Sequence, residues 1–250
     1  SVLGFSSADS SSASKGESVA DAVRTVGCYA DVIAMRHPKE GAPTAAAQVS
    51  PVPIINAGDG GHNHPTQTLA DLLTIRREKG RLNQLVIGCC GDLQFGRTVH
   101  SLINAMMRYK SIRFVLISPE ELRVPEYVRE SMHKNGVSFV EVERLEDVIG
   151  TLDILYMTRV QRERFTDLME YERVKNVYIL RNKMLEHTRP NLRILHPLPR
   201  VNEIAYDVDD NPKAYYFQQA QNGLYAREAI LCDVLGITLD EVKKSKGVIQ

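Results

Sequence analysis

Residues 84–118 read QLVIGCCGDLQFGRTVHSLINAMMRYKSIRFVLIS, and this stretch decides the fold class. An apolar run from Gln84 to Gly88 predicts a strand, the glycines between Gly91 and Gly96 a turn, and Thr98 to Arg108 a helix. A second apolar run, Arg113 to Ser118, predicts the next strand. Strand, helix and strand in that order make a right-handed βαβ unit on a parallel sheet with both faces covered.

The same alternation extends in both directions. Toward the C terminus come a helix over Glu126 to Asn135, strands over Ser138 to Val142, Asp153 to Thr158 and Leu192 to His196, and a long helix from about Pro212 to Gly236. Toward the N terminus, Val19, Val23, Val26 and Cys28 recur near helical spacing within Glu17 to Tyr29, and Asp31 to Met35 reads as a strand. A helix over Pro43 to Gln48 and a strand over Val52 to Asn56 follow. Between the two sets lies a helix from His64 to Lys79, with Pro65 suited to the first helical position and Leu69, Leu72, Leu73 and Ile75 marking its apolar face. The reading is α/β with two parallel-sheet domains. Residues 1–63 form a partial first domain, 64–211 the second with its linking helix, and 212–250 a C-terminal helix and tail. Ser1 to Phe5 reads like a strand entered midway, so the first domain is expected to be incomplete.

Lysine plus arginine and aspartate plus glutamate each total 31, so no net field draws nucleic acid or a membrane surface. Any anionic ligand must be held by a local cluster. The four cysteines make no CxxC, and Cys89-Cys90 sits in an apolar run where free buried thiols fit a reducing cytoplasm. No apolar run approaches the roughly 18 residues of a membrane span.

Ligands of open parallel sheets bind beyond the carboxyl ends of the strands, and the unusual residues fall there. One strand ends in Arg36-His37-Pro38, another runs into Gly58 to His64, another into Gly91 to Arg97; later ones end in Arg159-Val160-Gln161 and His196-Pro197-Leu198-Pro199-Arg200. Arginine presents a planar fork that matches phosphate and carboxylate, so Arg36, Arg97 and Arg159 suggest a multiply anionic substrate. His64 begins a helix, whose positive end favours a neutral imidazole able to donate to a carbonyl oxygen. Gln67 lies three residues on, on the same side. His37, His62 and His196 read as loop-packing residues. The stretch Gly88 to Gly96 does not match G-x-G-x-x-G, which argues against a dinucleotide cofactor. No H-E-x-x-H or carboxylate-rich loop suggests a metal, and no G-x-S-x-G suggests a serine nucleophile.

Seven motifs in order resemble the aspartate carbamoyltransferase family: Ser14-Lys15-Gly16-Glu17-Ser18, Met35-Arg36-His37-Pro38, Asn56-Ala57-Gly58-Asp59-Gly60, His64-Pro65-Thr66-Gln67, Gly91-Asp92-Leu93 with Gly96-Arg97-Thr98, Leu155 to Gln161, and His196-Pro197-Leu198-Pro199-Arg200-Val201. The resemblance runs from about Ser1 to about Gly236. The last motif separates the chain from ornithine carbamoyltransferases, which resemble it but carry His-Cys-Leu-Pro there.

The resemblance implies the carbamoyltransferase fold, with the C-terminal helix packing back on the first domain. It implies transfer of a carbamoyl group from carbamoyl phosphate to L-aspartate, an early step of pyrimidine synthesis, without a cofactor. By it, Ser11, Lys15, Arg36, His64, Gln67, Leu198 and Pro199 would bind carbamoyl phosphate, with His64 and Arg36 as the catalytic pair. Lys15, Arg97, Arg159, Gln161 and Leu198 would bind aspartate. Ser11 and Lys15 would lie on a loop reaching a neighbouring subunit's site, which implies a homotrimer with shared sites, alongside regulatory subunits or fused domains as possible partners. Arg164 resembles a residue that stabilises domain closure. Two departures stand out: no Ser-Thr-Arg-Thr-Arg phosphate loop occurs in these 250 residues, and Ser14 replaces a lysine. The first departure raises an alternative, an incomplete or non-catalytic carbamoyltransferase module of a larger assembly.

Overall fold

The computed structural model describes residues 1–4, 16–61 and 63–245. The chain divides into two compact units, one of Ser1–Thr66 with Arg227–Gln250 and one of Gln67–Ala226.

In the first unit, helices α1 (Val19–Gly27) and α2 (Ala42–Ala47) accompany two parallel strands, β1 (Ile33–His37) and β2 (Ile54–Asp59). The Ser18 hydroxyl caps α1 by accepting the Asp21 N–H at 3.1 Å, and Asp21 adds favourable negative charge to the first turn. Ile33 pairs with Ile54 and Met35 with Asn56; the register then shifts, so that His37 pairs with Asp59. The extra residue on β2 makes a bulge, which the Asn56 side chain supports by accepting the Gly58 N–H at 2.8 Å. Beyond it, the Asp59 carboxylate accepts the Gly41 N–H at 2.8 Å. Both strands end later than their apolar runs suggest. Arg36 therefore lies inside β1 and not past its end, because His37 still pairs and its carbonyl accepts the Gly60 N–H at 2.9 Å. β2 begins after Pro53, which has no N–H to give.

The second unit contains strands β3 (Val86–Cys90), β4 (Arg113–Ile117), β5 (Ser138–Val142), β6 (Ile154–Met157) and β7 (Arg193–Leu195). They form one parallel sheet in the order β5-β4-β3-β6-β7. Around them are α3 (Pro65–Lys79) from Gln67 on, α4 (Arg97–Met106), α5 (Glu126–Lys134), α6 (Leu168–Val174) and the first part of α7 (Tyr216–Val234). The rest of α7 and α8 (Leu239–Ser245) belong to the first unit.

Side chains alternate across the sheet, and both faces are buried. Ile87, Cys89, Phe114, Leu116, Ile154 and Tyr156 pack with Leu102, Ile103 and Met106 of α4 and Val128 and Met132 of α5. Cys90, Val115, Ile117, Leu155, Met157 and Ile194 enter the opposite layer with Leu145, Leu180 and Tyr216. This two-sided burial is why these strands read as unbroken apolar runs. It also sends the adjacent thiols of Cys89 and Cys90 into different layers, where both are free and buried. Burial pushes the Cys89 thiol up to about 12 and the Cys90 thiol well above its usual value.

The strand β3 starts two residues later than expected. Gln84 takes φ 55° and gives its N–H to the Lys110 carbonyl, outside the regular ladder. On α3, Leu69 is exposed, contrary to the expected apolar face; the buried side carries Ala70, Asp71, Thr74 and Ile75. Two short helices lie beyond the elements expected from sequence. Asp167 caps α6 by accepting the Met169 N–H at 2.8 Å. A capping box opens α8, with the Thr238 N–H donating to Glu241 Oε2 at 2.7 Å and the Glu241 N–H to Thr238 Oγ1 at 3.3 Å. Among the described residues no helix is long and apolar enough to cross a membrane.

Candidate active site

The chain leaves β3 to build β4 on one side and later returns to build β6 on the other. Connections diverge at this point, leaving a crevice past the carboxyl ends of β3 and β6, the place where open α/β sheets hold ligands. Into it lead Gly91 to Arg97 from β3 and Thr158 to Gln161 from β6. The two segments are stitched together. Thr158 gives its N–H to the Cys90 carbonyl at 2.9 Å and its hydroxyl to the same oxygen at 3.3 Å. Gln161 gives its N–H to Asp92 Oδ2 at 3.4 Å and its side-chain amide to the Phe95 carbonyl at 3.1 Å. Gly91 makes the approach possible: at φ +120°, a Cβ there would stand 2.2 Å from the Thr158 carbonyl oxygen.

Asp92, not singled out from sequence, is fully buried at this junction. Its carboxylate also accepts the Phe95 N–H at 2.8 Å. Desolvation pushes its pKa up to about 6, against the lowering effect of these N–H donors and of the nearby Arg159 charge. Arg159 and Gln161 are half-buried, as is Arg97, the first residue of α4, where the helix dipole adds positive potential. Three expected anion-binding residues thus sit on two adjacent strand ends.

The end of β7, the next strand over, carries Leu198 and Pro199 joined by a cis peptide, with Leu198 at φ 52°. His196 underlies this turn. Its Nδ1 accepts the Leu198 N–H at 2.8 Å, which leaves the proton on Nε2, 2.7 Å from Glu203 Oε1. Glu203 Oε2 accepts the Val201 and Asn202 N–H groups at 3.1 and 3.0 Å. Burial alone would raise the Glu203 pKa, but the His196 hydrogen bond and the backbone donors bring it below the ordinary value. His196 therefore packs the loop, as its sequence context suggests.

Gln67, near the start of α3, gives its side-chain N–H to Asp71 Oδ1 at 2.8 Å. Asp71 is completely buried, and it also receives Gln219 of α7 at 2.6 Å and the Tyr156 hydroxyl at 3.0 Å. The other end of the Gln219 amide accepts the His196 N–H at 2.8 Å. One buried chain of hydrogen bonds therefore joins Gln67 to the strand end that carries Leu198. Its sequence signal was present in the spacing of Gln67, Asp71 and Thr74, a polar stripe at helical period. That stripe pairs with Gln219 and Asn222, whose distance in sequence hides the match.

In the first unit, Arg36 is exposed on β1 and His64 is half-buried just before α3, with a long 3.5 Å contact between its Nδ1 and the Thr66 hydroxyl. His37 Nδ1 accepts the Lys39 N–H at 3.0 Å and so serves its own turn. Arg164 is exposed in a short turn of 3-10 helix in the second unit. Ser11, Lys15 and His62 lie outside the described residues.

A parallel sheet with two arginines and a glutamine after the strands at its switch point has the architecture of an α/β enzyme that holds a small ligand there. Residues 1–77 match the family model described as the aspartate/ornithine carbamoyltransferase carbamoyl-P binding domain. Residues 83–234 match its Asp/Orn binding domain. The chain belongs to the aspartate/ornithine carbamoyltransferase family. It is 63% identical over 243 residues to the aspartate carbamoyltransferase catalytic subunit of Bacteroides thetaiotaomicron, a match covering 97% of this chain and 77% of that one. Among solved structures it resembles the aspartate transcarbamoylase of Trypanosoma cruzi in complex with N-(phosphonacetyl)-L-aspartic acid, with a TM-score of 0.85 and 38% identity over 92% of this chain and 74% of that one. The catalytic subunit of M. jannaschii aspartate transcarbamoylase matches with a TM-score of 0.85 and 48% identity, over 92% and 74%.

Proposed function

We propose that the protein carrying this chain is an aspartate carbamoyltransferase, transferring the carbamoyl group of carbamoyl phosphate to the amine of L-aspartate at an early step of pyrimidine synthesis. The observation that carries this reading is the placement of Arg97, Arg159 and Gln161 on the segments that follow the adjacent strands β3 and β6. Two guanidinium forks and an amide suit a dicarboxylate amino acid, whereas ornithine offers one carboxylate and a second cation. The Trypanosoma cruzi relative is seen in complex with N-(phosphonacetyl)-L-aspartic acid, a derivative of aspartate, which supports the same choice.

In this reading Arg97, Arg159 and Gln161 hold the aspartate carboxylates. Arg36, His64 and Gln67 hold carbamoyl phosphate, and the backbone at Leu198 and Pro199 contacts both substrates. The amine attacks the carbamoyl carbon, negative charge grows on the carbamoyl oxygen and then on the departing phosphate, and His64 and Arg36 stabilise that charge as fixed donors. Holding two substrates in register supplies much of the remaining acceleration. Ser11 and Lys15 complete a neighbouring subunit's site, so the working unit is a homotrimer, placed in the cytoplasm. Incubating the purified protein with carbamoyl phosphate and either aspartate or ornithine tests the reading. Release of phosphate with formation of carbamoyl aspartate is expected, and turnover of ornithine in its place would overturn it.

A further inference from the structure

We infer that Asp71 is a positioning residue: its carboxylate fixes which end of the Gln67 amide faces the crevice and, through Gln219, ties that amide to the strand end carrying Leu198. This rests on the proposed contact of Gln67 with the carbamoyl group and extends it to a residue that touches no substrate. A side-chain amide has two ends of nearly equal size, and an isolated Gln67 presents either one to a ligand. A carboxylate can only accept. Because Asp71 Oδ1 stands 2.8 Å from the Gln67 amide, the NH₂ end must turn inward and the carbonyl oxygen Oε1 outward. An outward acceptor suits the NH₂ of a carbamoyl group; an outward donor would oppose it.

The same oxygen orients a second amide. Gln219 turns its NH₂ to Asp71 Oδ1 at 2.6 Å, so its oxygen faces the His196 N–H at 2.8 Å. His196 in turn holds the Leu198 N–H at 2.8 Å, leaving the Leu198 carbonyl aimed by a fixed backbone. Asp71 Oδ2 takes the Tyr156 hydroxyl at 3.0 Å, and that hydroxyl is also hydrogen-bonded to Thr98, next to Arg97. Asp71 is completely buried, so water does not substitute for it. A carboxylate that orients two amides in concert does something packing cannot.

The test is a double-mutant cycle in the intact enzyme, with kcat, KM for each substrate and melting temperature measured for every variant. Asp71→Leu keeps the approximate size but removes both acceptor oxygens, and kcat is expected to fall on the order of 10- to 100-fold, as for other groups that orient a contacting residue. Gln67→Ala is expected to lower kcat and weaken carbamoyl phosphate. In the Gln67→Ala background, Asp71→Leu should cost clearly less than it does alone, because the part of its effect that passes through Gln67 is already lost and only the Gln219 branch remains. Asp71→Ser runs the same cycle where Asp71→Leu does not fold. A damaging Gln67→Ala with fully multiplicative losses would overturn the role of Asp71 and leave the site reading intact. A harmless Gln67→Ala would overturn the reading of Gln67 itself, and the inference with it.

Discussion

Replacing Gly91 by alanine tests how the crevice is built. At φ +120° any side chain is strained, at a cost of about 1–3 kcal/mol. The new Cβ would also lie 2.2 Å from the Thr158 carbonyl oxygen and 2.7 Å from its hydroxyl, closer than atoms can approach. Thr158 must therefore move away from Cys90, giving up hydrogen bonds of 2.9 and 3.3 Å that contribute about 1 kcal/mol each. Together the losses reach about 3–5 kcal/mol, which lowers the melting temperature by about 10 °C for a domain of this size. Arg159 follows Thr158 directly, so the aspartate KM should rise in the fraction that stays folded. Gly136 is the control: its φ is +64° but no atom lies within 4 Å of a new Cβ, so Gly136→Ala should cost only about 1 kcal/mol. Thermal melting and aspartate saturation curves on the three proteins read both effects. Equal melting temperatures for wild type and Gly91→Ala, with unchanged aspartate KM, would refute the close approach of the two strand ends.

Arg159→Ala should raise the aspartate KM steeply, by the loss of a charged contact contributing about 2–5 kcal/mol when buried, while calorimetric binding of carbamoyl phosphate stays near wild type. Equal weakening of both ligands would sink the assignment of the second unit to aspartate. His64→Ala should instead cut kcat on the order of 10²-fold, read by steady-state turnover at saturating substrates. Asp92 predicts a pH effect. Its folded pKa of about 6 lies above the unfolded value, so the folded state binds the proton more tightly; its contribution to stability is largest below the ordinary carboxylate pKa and is lost as pH rises toward about 6. Denaturant titrations across that window should show this decline in wild type and not in Asp92→Asn; identical profiles would discount the shift. Mixing Lys15→Ala with Arg159→Ala chains should restore part of the activity if sites are shared between subunits, and mixed trimers without recovery would count against sharing.

The amino-acid sequence by itself determined the central strands β3, β4 and β6 of the second unit, because strands buried on both faces are apolar at nearly every position; it did not mark α6. It also placed Arg97, Arg159 and Gln161 directly after apolar runs, the positions at which parallel sheets hold ligands. It left strand ends short by up to a few residues, as at β1, where Arg36 lies within the pairing. A polar residue continues a ladder as readily as an apolar one when only the backbone pairs, so composition cannot mark that limit. Tertiary structure alone decided the strand order that sets β3 beside β6, and with it which loops meet. The buried bonds of Asp92 and Asp71 were likewise decided there. Asp92 bonds Gln161 and Asp71 bonds Gln219 across 69 and 148 positions, and although Gln67, Asp71 and Thr74 form a polar stripe at helical period, nothing in that period names the distant partner. Only the folded chain brings the donor to the acceptor.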